Sequence, residues 1–274
     1  MQYDPVKQRL GKIFNRRPAF RKLFYRLLDI LLLRSWHVHR ALRTFSQLRG
    51  SHPVKVLDAG SGFGQYTWYM ARKNPHWDIT AIDIKEDEVR DCQRFHKETG
   101  RTNTRFLVRD LTSYKEPDAY DLILSVDVME HIEEDERVFR NFFLSLKRGG
   151  MLLISTPSDQ GGSDVHHNEG QSFIEEHVRD GYGMEEIRQK LKKAGFDKVA
   201  CQYTYGKPGN IAWRISMKYP ITWLGRSNVF FFLLPFYYLI TMPFVLVLNY
   251  ADLRNRNKKG TGLLVKAWKK EEKS

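Results

Sequence analysis

The chain has 274 residues, 42% of them hydrophobic, enough to bury a sizeable core and too many for wholesale disorder. A mean hydropathy of −0.51 excludes a polytopic membrane protein, and two cysteines, Cys92 and Cys201, exclude a disulfide scaffold or a Cys-rich zinc site. The net charge of +13 sits at the ends: residues 1–52 hold 12 Lys/Arg and 2 acids, residues 253–274 hold 8 and 2, and residues 53–252 hold 25 and 28. Basic ends on a slightly acidic body suit an anionic membrane surface at least as well as a nucleic acid. The first 25 residues carry too many charges for a signal-peptide core, so export is not expected.

Residues 1–52 read as a basic helical segment. Phe20, Phe24, Leu27, Leu28, Leu31, Val38, Leu42 and Phe45 follow the spacing of an amphipathic helix, with Arg21, Lys22, Arg26, Arg34, Arg40 and Arg43 between them. A break is expected at Ser35-Trp36. Residues 53–205 then alternate short apolar runs with helical patterns. The runs are VKVLDAG, DITAIDI, RFLVRD, YDLILSV, GMLLIST and FDKVACQYTY, and the helical stretches lie near 64–73, 85–99, 132–147 and 183–194. Such alternation predicts a mostly parallel sheet covered by helices on both faces. GLLVKAWKK, residues 262–270, reads as one further strand, so residues 53–205 plus 262–274 form one domain.

Residues 206–261 interrupt that rhythm. From Ser227 to Ala251 there is no charged residue. As one helix this stretch would be about 37 Å long, more than a hydrocarbon core of roughly 30 Å. Pro235 and Pro243 argue for a bend.

The strongest motif is VLDAGSGFG, residues 56–64. Asp58 ends a strand, and Gly60, Gly62 and Gly64 form a G-x-G-x-G turn, where the backbone must turn tightly and approach a ligand closely. Asp83 closes the second strand, where a carboxylate can accept from both ribose hydroxyls. Asp110 closes the third, in reach of an adenine amino group. Val126 and Asp127 follow the fourth. Carboxyl ends of strands are where open α/β sheets bind ligands.

These motifs, with AIDI, RDL, YDLILSVDVMEHI and LKRGGMLLISTP, resemble the class I S-adenosylmethionine-dependent methyltransferases over residues 53–205 and 262–270. The resemblance implies a Rossmann-like seven-stranded sheet in the order 3-2-1-4-5-7-6 with the seventh strand antiparallel. It further implies that Gly60 and Gly62 pass under the methionine part of S-adenosylmethionine, that Asp83 holds the ribose and that Asp110 with Leu111 brackets the adenine; Asp58, Gly64, Ile84 and Val126 complete the expected cofactor-binding set.

DVMEHI supplies candidate catalytic groups, Asp127, Glu130 and His131, to take a proton from a hydroxyl acceptor. Its D-x-x-E-H pattern resembles the E-x-x-E-H of ubiquinone-biosynthesis O-methyltransferases and of small-RNA 2′-O-methyltransferases, which hold a divalent metal there. Asp127 is one methylene shorter than their Glu. A metal set of Asp127, Glu130, His131 and His177, or the histidines His166 and His167, is the alternative to solvated or core histidines, and it is not favoured. The loop over 157–182 is expected to cover the substrate, beside the N-terminal helices.

The leading functional reading is a methyltransferase of the ubiquinone O-methyltransferase-like branch acting on a hydrophobic, membrane-associated small molecule or lipid, O-methylation favoured. Its membrane partner would be an anionic surface on the cytoplasmic face, with the 206–261 insertion as anchor and the N-terminal helices lying on that surface, capping the active site, or both. An RNA methyltransferase and a non-catalytic cofactor-binding scaffold are the alternatives; no recognised RNA-binding module accompanies the basic ends. If the last two strands are sheet neighbours, the insertion must return to the side it left. It would then dip into one leaflet, bent near Pro235 or Pro243, or lie as an interfacial helix pair.

Overall fold

Alternate residues of single strands feed two separate cores, the period-2 pattern of strands buried on both faces. In the computed structural model, which describes residues 17–161, 178–227 and 230–271, strand β1 (Val54–Ala59) sends Val54 and Val56 to one face and Leu57 and Ala59 to the other. Strands β4 (Tyr120–Val126) and β5 (Leu146–Pro157) split likewise: Leu122, Leu124, Met151 and Leu153 against Ile123, Leu152 and Ile154. The first face is closed by helices α2 (Leu33–Arg49) and α3 (Gln65–Lys73), through Val38, Leu42, Phe45, Tyr69 and Met70. The second is closed by α5 (Asp135–Ser145) and α6 (Met184–Ala194), through Phe139, Phe142, Ile187 and Leu191.

With β2 (Trp77–Asp83), β3 (Thr104–Val108), β6 (Lys198–Thr204) and β7 (Gly262–Trp268), the sheet has the order β3-β2-β1-β4-β5-β7-β6. Strands β1 to β5 are parallel, and β7 is antiparallel to both β5 and β6, with Leu264 opposite Ser155 and Gln202. This is the expected topology. Helix α4 (Glu86–Glu98) follows β2.

The N-terminal segment corrects two expectations. The break falls at Leu32, which is extended at φ −93° and ψ 110°, between α1 (Pro18–Leu31) and α2. Ser35 lies inside α2, buried, because its Oγ accepts from Gln65 Nε2 at 3.1 Å. The apolar stripe of α1 is also not its inner face: Phe20 and Leu27 point outward, and Arg21 is buried.

The insertion is a helical hairpin. Its first arm runs through α7 (Lys207–Trp213), a π-helical turn (Arg214–Lys218) and α8 (Tyr219–Arg226). Its second arm is one continuous helix, α9 (Phe230–Arg254), which passes through Pro235 and Pro243. Neither proline ends the helix; the chain reverses between the two arms. The arms are antiparallel: Trp223 meets Phe230 and Tyr237 in ring contacts of 6.0 and 5.1 Å, and the Tyr237 and Tyr238 hydroxyls donate to the Ile215 and Ser216 carbonyls at 2.7 and 2.8 Å. The register continues to the base, where Gly209 lies against Asp252 and Leu33.

Asp252 is fully buried and ties the base together. Its carboxylate accepts from Gly206 N at 2.7 Å and Asn257 Nδ2 at 3.1 Å, and faces His37 Nε2 of α2 at 2.9 Å. Arg40 of α2 donates to the Leu253 carbonyl. Removing one partner from a buried charged network costs about 3–5 kcal/mol, because the others stay desolvated. Asp252→Ala should lose stability on that scale in denaturant unfolding, with faster proteolysis at the hairpin base; an unchanged midpoint would remove Asp252 from this role.

Candidate active site

The site lies at the carboxyl ends of β1, β2 and β4. Gly60 N and Ser61 N both donate to the Ile82 carbonyl at 2.9 Å, folding the glycine turn back onto β2. Gly60 has φ +80°, and a Cβ there would collide with the Val128 side chain. Only glycine serves such a conformation and contact together. Gly62, at φ +49°, donates its N–H to Asp83 Oδ2 at 2.8 Å, and Lys85 N donates to Asp83 Oδ1 at 3.0 Å. Each carboxylate oxygen keeps a lone pair for a further donor. Gly64, at φ +79°, is the residue from which α3 starts.

Asp58 is buried, and Thr67 Oγ1 donates to it at 2.5 Å. Beyond β2 and β3, Ile84 is exposed and Leu111 is buried. Asp110 stands two residues past the end of β3, and its Oδ1 accepts from Thr112 N and Oγ1, each at 2.8 Å. A backbone cradle that excludes Cβ, an acceptor at Asp83 and apolar surface beside it fit an adenosyl group.

At the end of β4, Asp127 takes φ +51°, and its carboxylate is ion-paired to Arg34 of α2. Glu130 is buried in the next turn, where Thr156 Oγ1 donates to it at 3.0 Å. Burial, with the neighbouring Asp127 charge, holds the Glu130 carboxyl well above the usual carboxylate range. His131 is exposed at the rim of that turn. Asp127 therefore stands in an ion pair and Glu130 in a buried hydrogen bond, while His131 is exposed. His166, His167 and His177 lie outside the described residues, as does most of the expected 157–182 cover. Among the described residues no three His, Cys, Asp or Glu side chains cluster as a metal site.

Sequence reasoning missed the groups that roof the site. Arg21 of α1 donates from Nη2 to the Phe63 carbonyl at 2.8 Å and from Nη1 to the Asp91 carbonyl at 3.0 Å. The Tyr25 hydroxyl also donates to the Phe63 carbonyl. Gln65 Nε2 donates to Asp29 Oδ1 at 2.7 Å. Arg34 N donates to the Tyr205 hydroxyl at 3.1 Å, and Tyr66 lies 3.3 Å from Ser35 Oγ. Sequence reading assigns Arg21 and Arg34 to an undifferentiated basic run.

A seven-stranded sheet of this order with a glycine turn and an acid ending β2 defines the class I S-adenosylmethionine-dependent methyltransferases. The comparisons agree: the family described as "Methyltransferase domain" matches residues 51–195, and the chain belongs to that family. It is 33% identical over 149 residues to phosphoethanolamine N-methyltransferase of Triticum aestivum, covering 54% of this chain and 29% of that one. It is 28% identical over 174 residues to malonyl-[acyl-carrier protein] O-methyltransferase of a Paenibacillus species, covering 56% and 61%. The chain thus spans less than two thirds of either relative. In fold it is similar to Haemonchus contortus phosphoethanolamine N-methyltransferase 2 in complex with S-adenosyl-L-methionine (TM-score 0.59, 19% identity, 90% and 60% covered). It is also similar to the [4+2]-cyclase SpnF (TM-score 0.56, 17% identity, 85% and 82% covered).

Burial pushes the Asp58 carboxyl up to about 7, against the Thr67 hydrogen bond and with the charge of Asp83. Unfolded, an aspartate titrates near ~3.9, so the folded chain binds the extra proton between those values. The contribution of this group is present below about pH 4 and is lost as pH rises to about 7. Relative to Asp58→Asn, unfolding free energy should fall by roughly 4 kcal/mol across that window and level off above it. Parallel profiles for the two proteins would refute the assignment.

Proposed function

We propose that the protein methylates a hydrophobic, membrane-associated small molecule or lipid, with oxygen as the favoured acceptor. It would work as a monotopic enzyme of the ubiquinone O-methyltransferase-like branch at the cytoplasmic face of a membrane. The observation that carries this reading is the hairpin. Helix α9 is long and apolar enough to cross a membrane by length and composition, and Phe231, Phe232, Phe236, Leu239, Ile240 and Phe244 are exposed on it. Exposed apolar surface on this scale marks an interaction site. Arg214 and Lys218 interrupt the first arm and Arg226 ends it. Each charge costs about 2.5–3.5 kcal/mol at a bilayer centre, which favours a pair lying in the interface over one standing through it. The relatives' names support O- and N-transfer alike, so an amine head group is the second reading.

When bound, S-adenosylmethionine supplies an electrophilic methyl group on a sulfonium centre. The residues that would hold it are Gly60, Gly62 and Gly64 with Asp58 along the methionine end, Asp83 and Ile84 at the ribose, and Asp110, Leu111 and Val126 around the adenine. The chain's main contribution is orientation, which can be worth ~7–11 kcal/mol. Asp127 orients the acceptor at the mouth of the site. Glu130, held protonated, forms its floor. His131 reaches solvent and can take the acceptor proton outward.

Asp83→Ala removes charge-assisted acceptors worth about 1.5–3 kcal/mol each. Affinity for S-adenosylhomocysteine by calorimetry should fall at least about tenfold with the fold intact, and an unchanged affinity would strike Asp83 from the site. For the substrate class, lipid extracts from cells with and without the protein should differ by a species heavier by one CH2. A shift confined to RNA hydrolysates would replace this reading with the RNA enzyme.

A further inference from the structure

Helix α1 is amphipathic the wrong way round for a helix packed on a soluble domain. Its inner face carries Arg21 and Tyr25, 3% and 2% exposed. The guanidinium is held there by two carbonyls, the Tyr25 hydroxyl at 2.7 Å and the Phe95 ring at 4.8 Å. Its outer face carries Phe20, Leu23, Leu27 and Ile30, 47%, 48%, 42% and 43% exposed. Their spacing of three, four and three residues draws one straight stripe along the helix. Among the described residues, nothing covers this apolar face.

We infer that this stripe is a second membrane contact, lying flat on an anionic lipid surface beside the hairpin; the inference rests on the membrane reading above. Charge is the first reason. Arg17 and Arg26 are exposed around the stripe and Lys22 is half-buried, while the one acid of α1, Asp29, accepts a hydrogen bond from Gln65. An apolar stripe bordered by cations is the pattern of an interfacial helix on anionic lipid. A second copy of the chain would instead bring two sets of these cations around one small apolar contact, since a two-fold interface uses the same patch twice. Position is the second reason. Leu33, two residues past the end of α1, lies against Gly209 at the hairpin base, and the next turn of α2 holds that base through His37 and Arg40. Stripe and hairpin thus hang from one helix. The inner face of α1 meanwhile grips the Phe63 carbonyl of the glycine turn, so a lipid contact on one side of α1 bears directly on the cofactor loop on the other.

The test uses the full chain in a Cys201→Ser background, with an environment-sensitive dye on Leu27→Cys or, separately, on Phe236→Cys of the hairpin; Cys92 is buried. Vesicles of phosphatidylcholine mixed with phosphatidylglycerol should blue-shift the emission of both labels, and acyl-chain nitroxides should quench it. High salt should weaken the Leu27 response. Leu23→Gln/Leu27→Gln with the hairpin intact should lower vesicle binding at least about tenfold. A response at Phe236 without one at Leu27 overturns the role of α1 and leaves the hairpin anchor standing. A response at Leu27 alone supports α1 and removes the hairpin. No response at either overturns both. A Leu27 label already shielded before vesicles are added means that residues 1–16 or a second copy covers the stripe, and the inference fails.

Discussion

Strand β7 has to lie between β5 and β6, and this constraint shapes the chain outside the sheet. The chain leaves β6 at Thr204 and must re-enter at Gly262, directly opposite it. Whatever is inserted there has its two ends pinned within one strand spacing, about 4.8 Å. A long apolar helix cannot satisfy that alone. It needs an arm running the other way, and residues 207–226 provide it. The polar knot around Asp252 then converts a closed loop into a fixed projection, because it binds the exit from β6, the end of α9 and the side of α2 at one point.

Helix α2 consequently serves two masters. His37 and Arg40 hold the hairpin base, and one turn earlier Arg34 reaches the Asp127 carboxylate at the end of β4. A change at the hairpin base is therefore about one helical turn from the active-site mouth. The fold does not itself dictate the reaction; a [4+2]-cyclase shares it. What distinguishes this chain is the set of groups that α1 and α2 lay over the common frame.

The frame was legible because its signals are local. VLDAGSGFG states a strand, a tight turn and a helix start within nine residues, and Asp83 and Val126 stand where their strands end. The roof was not legible, because its logic is long-range. Arg21 looks solvated in sequence, and its burial depends largely on groups distant in the chain, among them the Phe63 and Asp91 carbonyls, 42 and 70 residues away. The same holds for Arg34 and Asp127, 93 residues apart. The helical insertion and the possibility of a helix pair were legible, but the bounds of the first arm were not, because Arg214 and Lys218 break its apolar run. The break at Leu32 has no sequence marker, since leucine is a good helix former and nothing local announces its extended backbone.

The contact between Gly60 and Val128 has a consequence for precision. The turn at the end of β1 and the turn at the end of β4 touch with no room for a single added carbon. Their separation is thus set by atomic radii rather than by the compliance of two loops. Such a spacing is as incompressible as the core itself. A displacement of about 1 Å between reacting groups can cost on the order of a hundredfold in rate. The two turns act as a rigid gauge.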